Sequence, residues 1–461
     1  MIPTTRDAYK LMHDGALALA EVEANGIRVD VEYLDKTISK IGEYIKGQEA
    51  KLRDDPIYET WRKTYGSKAN LGSREQLSRV LFEILKYPSQ GKTVGGDRES
   101  AGKDALELLE IPFADRYIKV EKFKKLLSKD LLGIKREVTA KGLVHASMNT
   151  HLTVTYRSQC DSPNLKNIPI RDEEVAKIIR RAFIPRPGNS LLEVDMSGAE
   201  VRVGCCYHQD PRMIRDVLKG DMHRDMAAKI FFLPKSEVPK MARQIVKGDF
   251  VFAEFYGGYY IQAAQRIWKQ IKRTKLETND GIPMGIHLER SGIRRGLGDC
   301  SPDAPPVEGT FESHLAKIEK EFWEVRYPVY NKWRKDWYAQ YLERGYIDML
   351  TGFRVSGVYR RNDIINYPVQ GASFHTVLWS LIQLQRWLRK NQMKSKIINE
   401  IYDSILLDCP QDELLDVANK AAEIMTVDVR KHFDFITIPL KAEAESSDRS
   451  WADKHPLELT I

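Results

Sequence analysis

SLLEVDMSGAEVR, residues 190–202, opens on an apolar run and stops abruptly at an acid. The run SLLEVD predicts a buried strand ending in Asp195. A second stretch of the same kind, NEIYDSILLD at 399–408, places Asp403 inside an apolar run. An ionised carboxylate in either place is costly unless it meets a partner or a metal. On adjacent strands, two such acids would hold a pair of divalent ions suited to activating a hydroxyl and steadying a leaving phosphate oxygen. Spacing alone fits equally strand-end acids facing water.

Around these two stretches the chain divides by pattern. The first ~140 residues carry amphipathic runs at 6–23, 31–53 and 74–86, which predict a mostly helical region. Residues 117–142, YIKVEKFKKLLSKDLLGIKREVTAKG, predict a long helix and its exit, with lysines on several faces. Those lysines fit either a solvated face or a contact with a duplex backbone. Short β-rich pieces follow from 143, helices occupy 208–268 and 311–345, and the tail returns to strands in KIINEIYDSILLDC and ITIPLKAEAE around a helix at 411–432. Between the later helices, TNDGIPMGIHLERSGIRRGLGDCSPDAPPVEGT reads as an inserted loop at about 270–310.

Composition narrows the class. The 461 residues, 42% of them hydrophobic, suffice for several cores, and a net charge of +7 suits a polyanionic partner. No long apolar stretch marks a membrane span or a signal peptide. The five cysteines form no C-x-x-C pair and sit in no His cluster, so neither a zinc site nor a disulfide framework is indicated, and a reducing cytoplasm fits.

A further constellation lies in RQIVKGDFVFAEFYGGYY, residues 243–260. Arg243 and Lys247 share a helical face at i, i+4, and Phe252 and Tyr256 repeat that spacing. Cations and aromatics so placed could hold a triphosphate and stack on a base; an amphipathic helix with an aromatic core stripe has the same pattern.

The strings TYRSQCDSPNLKNIPIR, EVDMSGAEVR, GDMHRDMAAKIF, RQIVKGDFVFAEFYGG, INYPVQGAS and EIYDSILL occur in the order and approximate spacing of family A, DNA polymerase I-like, DNA polymerases. EVEANGIRVDVEYL, NLGSREQLSRVLFEIL and RSWADKH extend the resemblance over nearly the whole chain. It implies an α+β, right-hand polymerase fold: a helical thumb at 1–144, an antiparallel-sheet palm at 145–204 and 345–461, and helical fingers at 205–344 carrying the insertion. Template-directed addition of deoxynucleotides to a primer 3′-OH follows, with primer-template DNA and dNTPs as partners. A separate exonuclease, processivity factor or helicase–primase would be further partners, and no membrane is involved. The short chain with its divergent YDS triplet resembles phage-type members, which would work in the cytoplasm of a bacterial host.

By the same resemblance Asp195 and Asp403 hold two Mg²⁺ ions, for which Mn²⁺ can substitute, and the main chain of Met196 assists. Glu200 closes the pocket against a ribose 2′-OH. His223, Arg243 and Lys247 grip the triphosphate, Lys247 also acting in catalysis. Phe252 lies beside the sugar, and Tyr256 near the templating base. Arg157, Asn366 and Gln370 feel the minor-groove edge of new base pairs, whose acceptors recur in every correct pair.

The departures from the family pattern carry expectations too. Lys247 and Phe252 are five apart where four is usual, with Gly248 and Asp249 between them. One extra residue turns a helix by about 100°, so a one-residue π-bulge is expected near 248–251; a shifted register would put Val251 in the pocket instead. Tyr402, Asp403 and Ser404 stand where many relatives have His, Asp, Glu, and Asn362 replaces an arginine that Arg361 could supply. Because the thumb-like segment begins almost at Met1, no 3′ to 5′ exonuclease is expected in this chain. The rivals are a single-chain RNA polymerase, which Glu200 opposes, and a non-catalytic DNA-binding scaffold, which retention of both acids opposes.

Overall fold

A computed structural model describes residues 3–88, 99–169, 172–294, 296–297 and 305–460. Its centre is a five-stranded antiparallel sheet in the order His455–Leu457, Ala442–Ser447, Asn189–Met196, Ser404–Pro410, Lys396–Ile401. SLLEVD and SILLDC are therefore neighbours, paired Ser404 with Asp195 and Leu406 with Glu193. Side chains alternate across a strand. Leu192, Val194, Met196, Ile405, Leu407 and Cys409 enter one apolar core, and Leu191 and Leu406 enter the other. Asp195 has the parity of Leu191 and Glu193, so the strand period sets its carboxylate on the second face.

The first face is covered by the 30-residue helix Arg361–Lys390, whose residues Phe374, Val377, Leu378 and Leu381 are buried. The helix Thr5–Asn25 lies on that same core, held by Arg386 to Asp14 at 2.7 Å and by Asn25 Nδ2 donating to the Ile397 carbonyl. Sequence reading grouped it with the thumb, but its buried residues Leu11, Ala18, Leu19 and Val22 pack beside the sheet.

The second core is built by Val31–Arg53, Pro56–Tyr65 and a continuous helix running from Pro112 to Glu137, the long lysine-bearing helix expected from sequence. Asp30, Asp55 and Ser73 cap helix starts with side-chain oxygens, satisfying free N–H groups there. The expected helices at 208–268 and 311–345 are present, in shorter pieces.

Two boundaries differ from the sequence reading. The stretch 270–310 is not uniformly loop: Tyr260–Thr274 runs into it, and Met284–Arg290 is helical. Ile271, Leu276, Met284, Leu288 and Ile293 anchor it in the core, at irregular spacings that show no single period. Residues 295 and 298–304, including Cys300, lie outside the described part, as do Ile170 and Arg171 of the NIPIR string. In ITIPLKAEAE the strand begins only at Ala442. Pro439 lacks an N–H for a ladder, and its carbonyl accepts from Arg202 Nη1 at 2.6 Å. Among the described residues no helix is long and apolar enough to cross a membrane.

Trp451 ties the sheet to the second core. It packs edge-on to Phe183 at 5.8 Å, donates to Glu193 at 2.7 Å and lies under Arg180. Trp451→Ala should lower unfolding stability by about 3–5 kcal/mol, read as the denaturation midpoint; a change below about 1 kcal/mol would contradict this packing.

Candidate active site

The turn between Lys396–Ile401 and Ser404–Pro410 contains Tyr402 and Asp403. Its geometry is fixed from both sides: the Asp403 N–H donates to the Ile401 carbonyl at 2.8 Å, and the Met196 N–H donates to the Asp403 carbonyl at 2.9 Å. Asp403 thus stands beside Asp195 as the sequence suggested, although on a turn rather than within a strand. Met196 is fully buried, so only its main chain can face the acids.

Burial raises the Asp195 carboxyl to about 7, with repulsion from Asp403, Glu193 and Glu443 adding to it. Burial likewise raises Asp403 to about 6, Glu200 and Glu193 adding repulsion and Arg157 opposing it. Neither acid has an ion-pair partner among the described residues, whereas nearby Glu193 meets Lys454 at 2.5 Å and is held below its usual range despite burial. Uncompensated hard oxygen donors are a fit for divalent cations. No cluster of three or more His, Cys, Asp or Glu side chains could hold a metal unaided among the described residues. Two carboxylates, with water and substrate phosphate completing the shell, is the mode Mg²⁺ favours.

Opposite the acids, the helix Lys240–Val246 passes through a π turn at Lys247–Val251 into Phe252–Phe255. That turn absorbs the extra residue, as expected from sequence. Lys247 Nζ consequently lies 5.5 Å from the centre of the Phe252 ring, and His223 lies 5.7 Å from the same ring, while Val251 is fully buried elsewhere. Arg243 Nε donates to Asp221 at 2.8 Å. Burial and the charges of Lys247 and Arg243 push His223 down to about 4, so at neutral pH it is an uncharged donor.

A cleft of about 740 Å³ joins the two sides, lined by Asp403, Glu200, Gly248, Phe252 and Tyr256. Glu200 bridges them, accepting from the Tyr256 hydroxyl and meeting Arg157 Nη1 at 3.4 Å. Asn366 and Gln370 line a small recess behind Glu200 and Tyr256. Tyr259, Gln262, Arg266 and Asn362 also line the cleft and were not singled out as binding residues. The i, i+3, i+7 spacing of Tyr259, Gln262 and Arg266 is the signal that could have found them. Asn362 donates to the Gly257 carbonyl at 3.0 Å, and a Cβ on Gly257 would lie 2.1 Å from it.

The raised acids carry a pH signature. Their folded values exceed those of an unfolded carboxylate, so the stability they contribute is present below about pH 4 and lost as pH rises through 6 to 7. Without metal, Asp195→Asn should therefore melt above the native protein at pH 8 and converge with it near pH 4; Mg²⁺ should raise the native melting temperature at pH 8 more than the variant's. Equal melting at pH 8 would contradict the repulsion.

The model of DNA polymerase family A matches residues 41–279 and 316–453, and the gap overlaps the insertion. DNA polymerase I of Lactococcus lactis subsp. cremoris is 27% identical over 457 residues, covering 96% of this chain and 46% of the relative. The thermostable DNA polymerase I of Thermus thermophilus is 28% identical over 422 residues, covering 88% and 44%. The chain thus spans about half the length of these relatives. Among solved structures, the POL domain of Pol1 from M. smegmatis, in complex with DNA primer-template and dNTP, shares the fold at a TM-score of 0.74, with 23% identity, covering 95% of this chain and 70% of that one. The family model spans well over half of the sequence, and the chain belongs to DNA polymerase family A.

Proposed function

We propose that this chain is a template-directed DNA polymerase, adding deoxynucleotides to a primer 3′-OH and releasing pyrophosphate. The observation that carries the reading is the pair of half-buried acids Asp195 and Asp403, adjacent on the sheet and without an ion-pair partner among the described residues, at a cleft that Asp403 lines together with Glu200, Gly248, Phe252 and Tyr256. Residues 1–144, apart from the helix Thr5–Asn25 packed on the sheet's helical core, would serve as thumb, 145–204 and 345–461 as palm, and 205–344 as fingers.

Asp195, Asp403 and the main-chain carbonyl of Met196 would hold two Mg²⁺ ions, or Mn²⁺ in their place, which activate the primer hydroxyl and stabilise charge on the leaving pyrophosphate. Arg243 and Lys247 supply cations, and His223 a neutral donor, to the triphosphate oxygens. Phe252 packs beside the sugar, and Glu200 fills the space a 2′-OH would need. Tyr256 lies at the templating position, and Arg157, Asn366 and Gln370 on the minor-groove side. Closure of the helix over the nucleotide would exclude water and align the reacting groups. The divergent Tyr402–Asp403–Ser404 triplet fits a phage-type member working in the cytoplasm of a bacterial host.

Extension of a labelled primer on a defined template tests this. The native chain should add the templated dNTP with Mg²⁺, and Asp195→Ala and Asp403→Ala should each lose at least ~10³-fold in rate while still binding primer-template. No extension by the native chain with any divalent metal would overturn it. The π turn gives a separate expectation. Such a turn adds a residue without changing the faces its flanks present, so deleting Gly248, whose missing Cβ meets nothing, should leave the dNTP KM within ~3-fold. A rise above ~10-fold would show that the bulge itself shapes the pocket.

A further inference from the structure

Beneath the Asp403 turn lies a buried charged cluster that the nucleotide and metal contacts do not use. Lys166 is 5% exposed and Glu400 fully buried, and Lys166 Nζ meets Glu400 Oε2 at 2.6 Å. Ser158 Oγ donates to the same carboxylate oxygen at 2.5 Å and also accepts from Lys166. The other oxygen, Oε1, accepts the Tyr402 N–H at 2.7 Å. Tyr402 has φ 59°, the left-handed region that a bulky residue occupies only when its surroundings hold it there. Three further contacts do so. The Arg157 guanidinium lies 4.5 Å from its ring centre, the Lys166 ammonium lies 5.8 Å from the same ring, and the Tyr402 hydroxyl donates to Asn167 Oδ1 at 3.1 Å.

Removing one partner of a buried ion pair is costly, and an apolar pair of similar volume often serves stability as well. Stability alone therefore gives no reason for charges here. What this pair adds is direction: one carboxylate faces Lys166 and Ser158 with one oxygen and the backbone N–H next to Asp403 with the other.

We infer that Lys166 and Glu400 are a positioning pair for the polymerase reaction, holding Tyr402 in its left-handed conformation so that Asp403 meets the metal and Arg157 keeps its place between Tyr402 and Glu200. The inference rests on the polymerase reading above. It joins residues from the Leu165–Asn167 turn and the Lys396–Ile401 strand, more than 200 positions apart, into one support for the catalytic edge.

The test compares two double variants of the full chain with the native protein, measuring melting temperature, primer-template affinity, dNTP KM, kcat and the half-saturating Mg²⁺ concentration. Lys166→Met/Glu400→Met removes both charges together, so no unpaired charge is buried, but the Tyr402 N–H loses its acceptor. A misplacement of about 1 Å can cost ~10²-fold in rate. This variant should fold and bind primer-template, lose roughly 10- to 100-fold in kcat, need several-fold more Mg²⁺, and keep its dNTP KM within ~3-fold. Lys166→Gln/Glu400→Gln retains an acceptor for Tyr402 and should recover kcat to within ~3-fold of native. A folded methionine pair with native kcat and Mg²⁺ dependence overturns the inference, as does a glutamine pair no better than the methionine pair. If the methionine pair does not fold, Ser158→Ala decides: a raised half-saturating Mg²⁺ concentration supports the inference and an unchanged one overturns it. Failure of the native chain to extend a primer would instead count against the polymerase reading.

Discussion

The antiparallel ladder between Asn189–Met196 and Ser404–Pro410 is the constraint on which the rest depends. It brings together two acids 208 positions apart in sequence and leaves them half-buried, without an ion-pair partner among the described residues. That arrangement works against the metal-free fold, since each ionised group disfavours the other. It persists because the surroundings fix it: Leu192, Val194, Ile405 and Leu407 anchor one face in the helical core, and the main chains of Met196 and Asp403 are hydrogen-bonded to one another. A local cost held in place by a well-packed scaffold is what a site for divalent ions and phosphate requires.

The helix running from Lys240 through Phe255 solves a different problem. An inserted residue would have rotated Phe252 away from Arg243 and Lys247, and the π turn at Lys247–Val251 restores the common face. Gly248 at the start of that turn brings no side chain into the cleft it lines. The cleft is lined by Asp403 and Glu200 as well as by Arg266, so both signs of charge border it.

Much of this was legible in the sequence because strong local periodicities coincide with the elements that matter. SLLEVD and SILLDC are strands whose period of two fixes which way Asp195 points, and the five-residue step from Lys247 to Phe252, one longer than the family's usual four, points to the π turn. What was not legible depends on contacts between distant segments. No local pattern shows that Lys166 and Glu400 form a buried pair, that Thr5–Asn25 packs on the Arg361–Lys390 core, or that Met284 and Leu288 anchor part of an apparently featureless insertion. The cleft residues Gln262 and Arg266 were hidden for a different reason: a cationic, polar helix face resembles any solvated face until its neighbour is known.

Asp195 and Asp403 are together proposed as the divalent-metal site of a nucleotidyl-transfer centre. Anomalous scattering from Mn²⁺ in crystals of the chain with primer-template and a non-hydrolysable dNTP measures this most directly. Two peaks about 3.5–4 Å apart, both touching the Asp195 and Asp403 carboxylates and the nucleotide phosphates, are expected. Manganese bound elsewhere, or a nucleotide bound in the cleft with no metal at these two acids, would contradict the proposal.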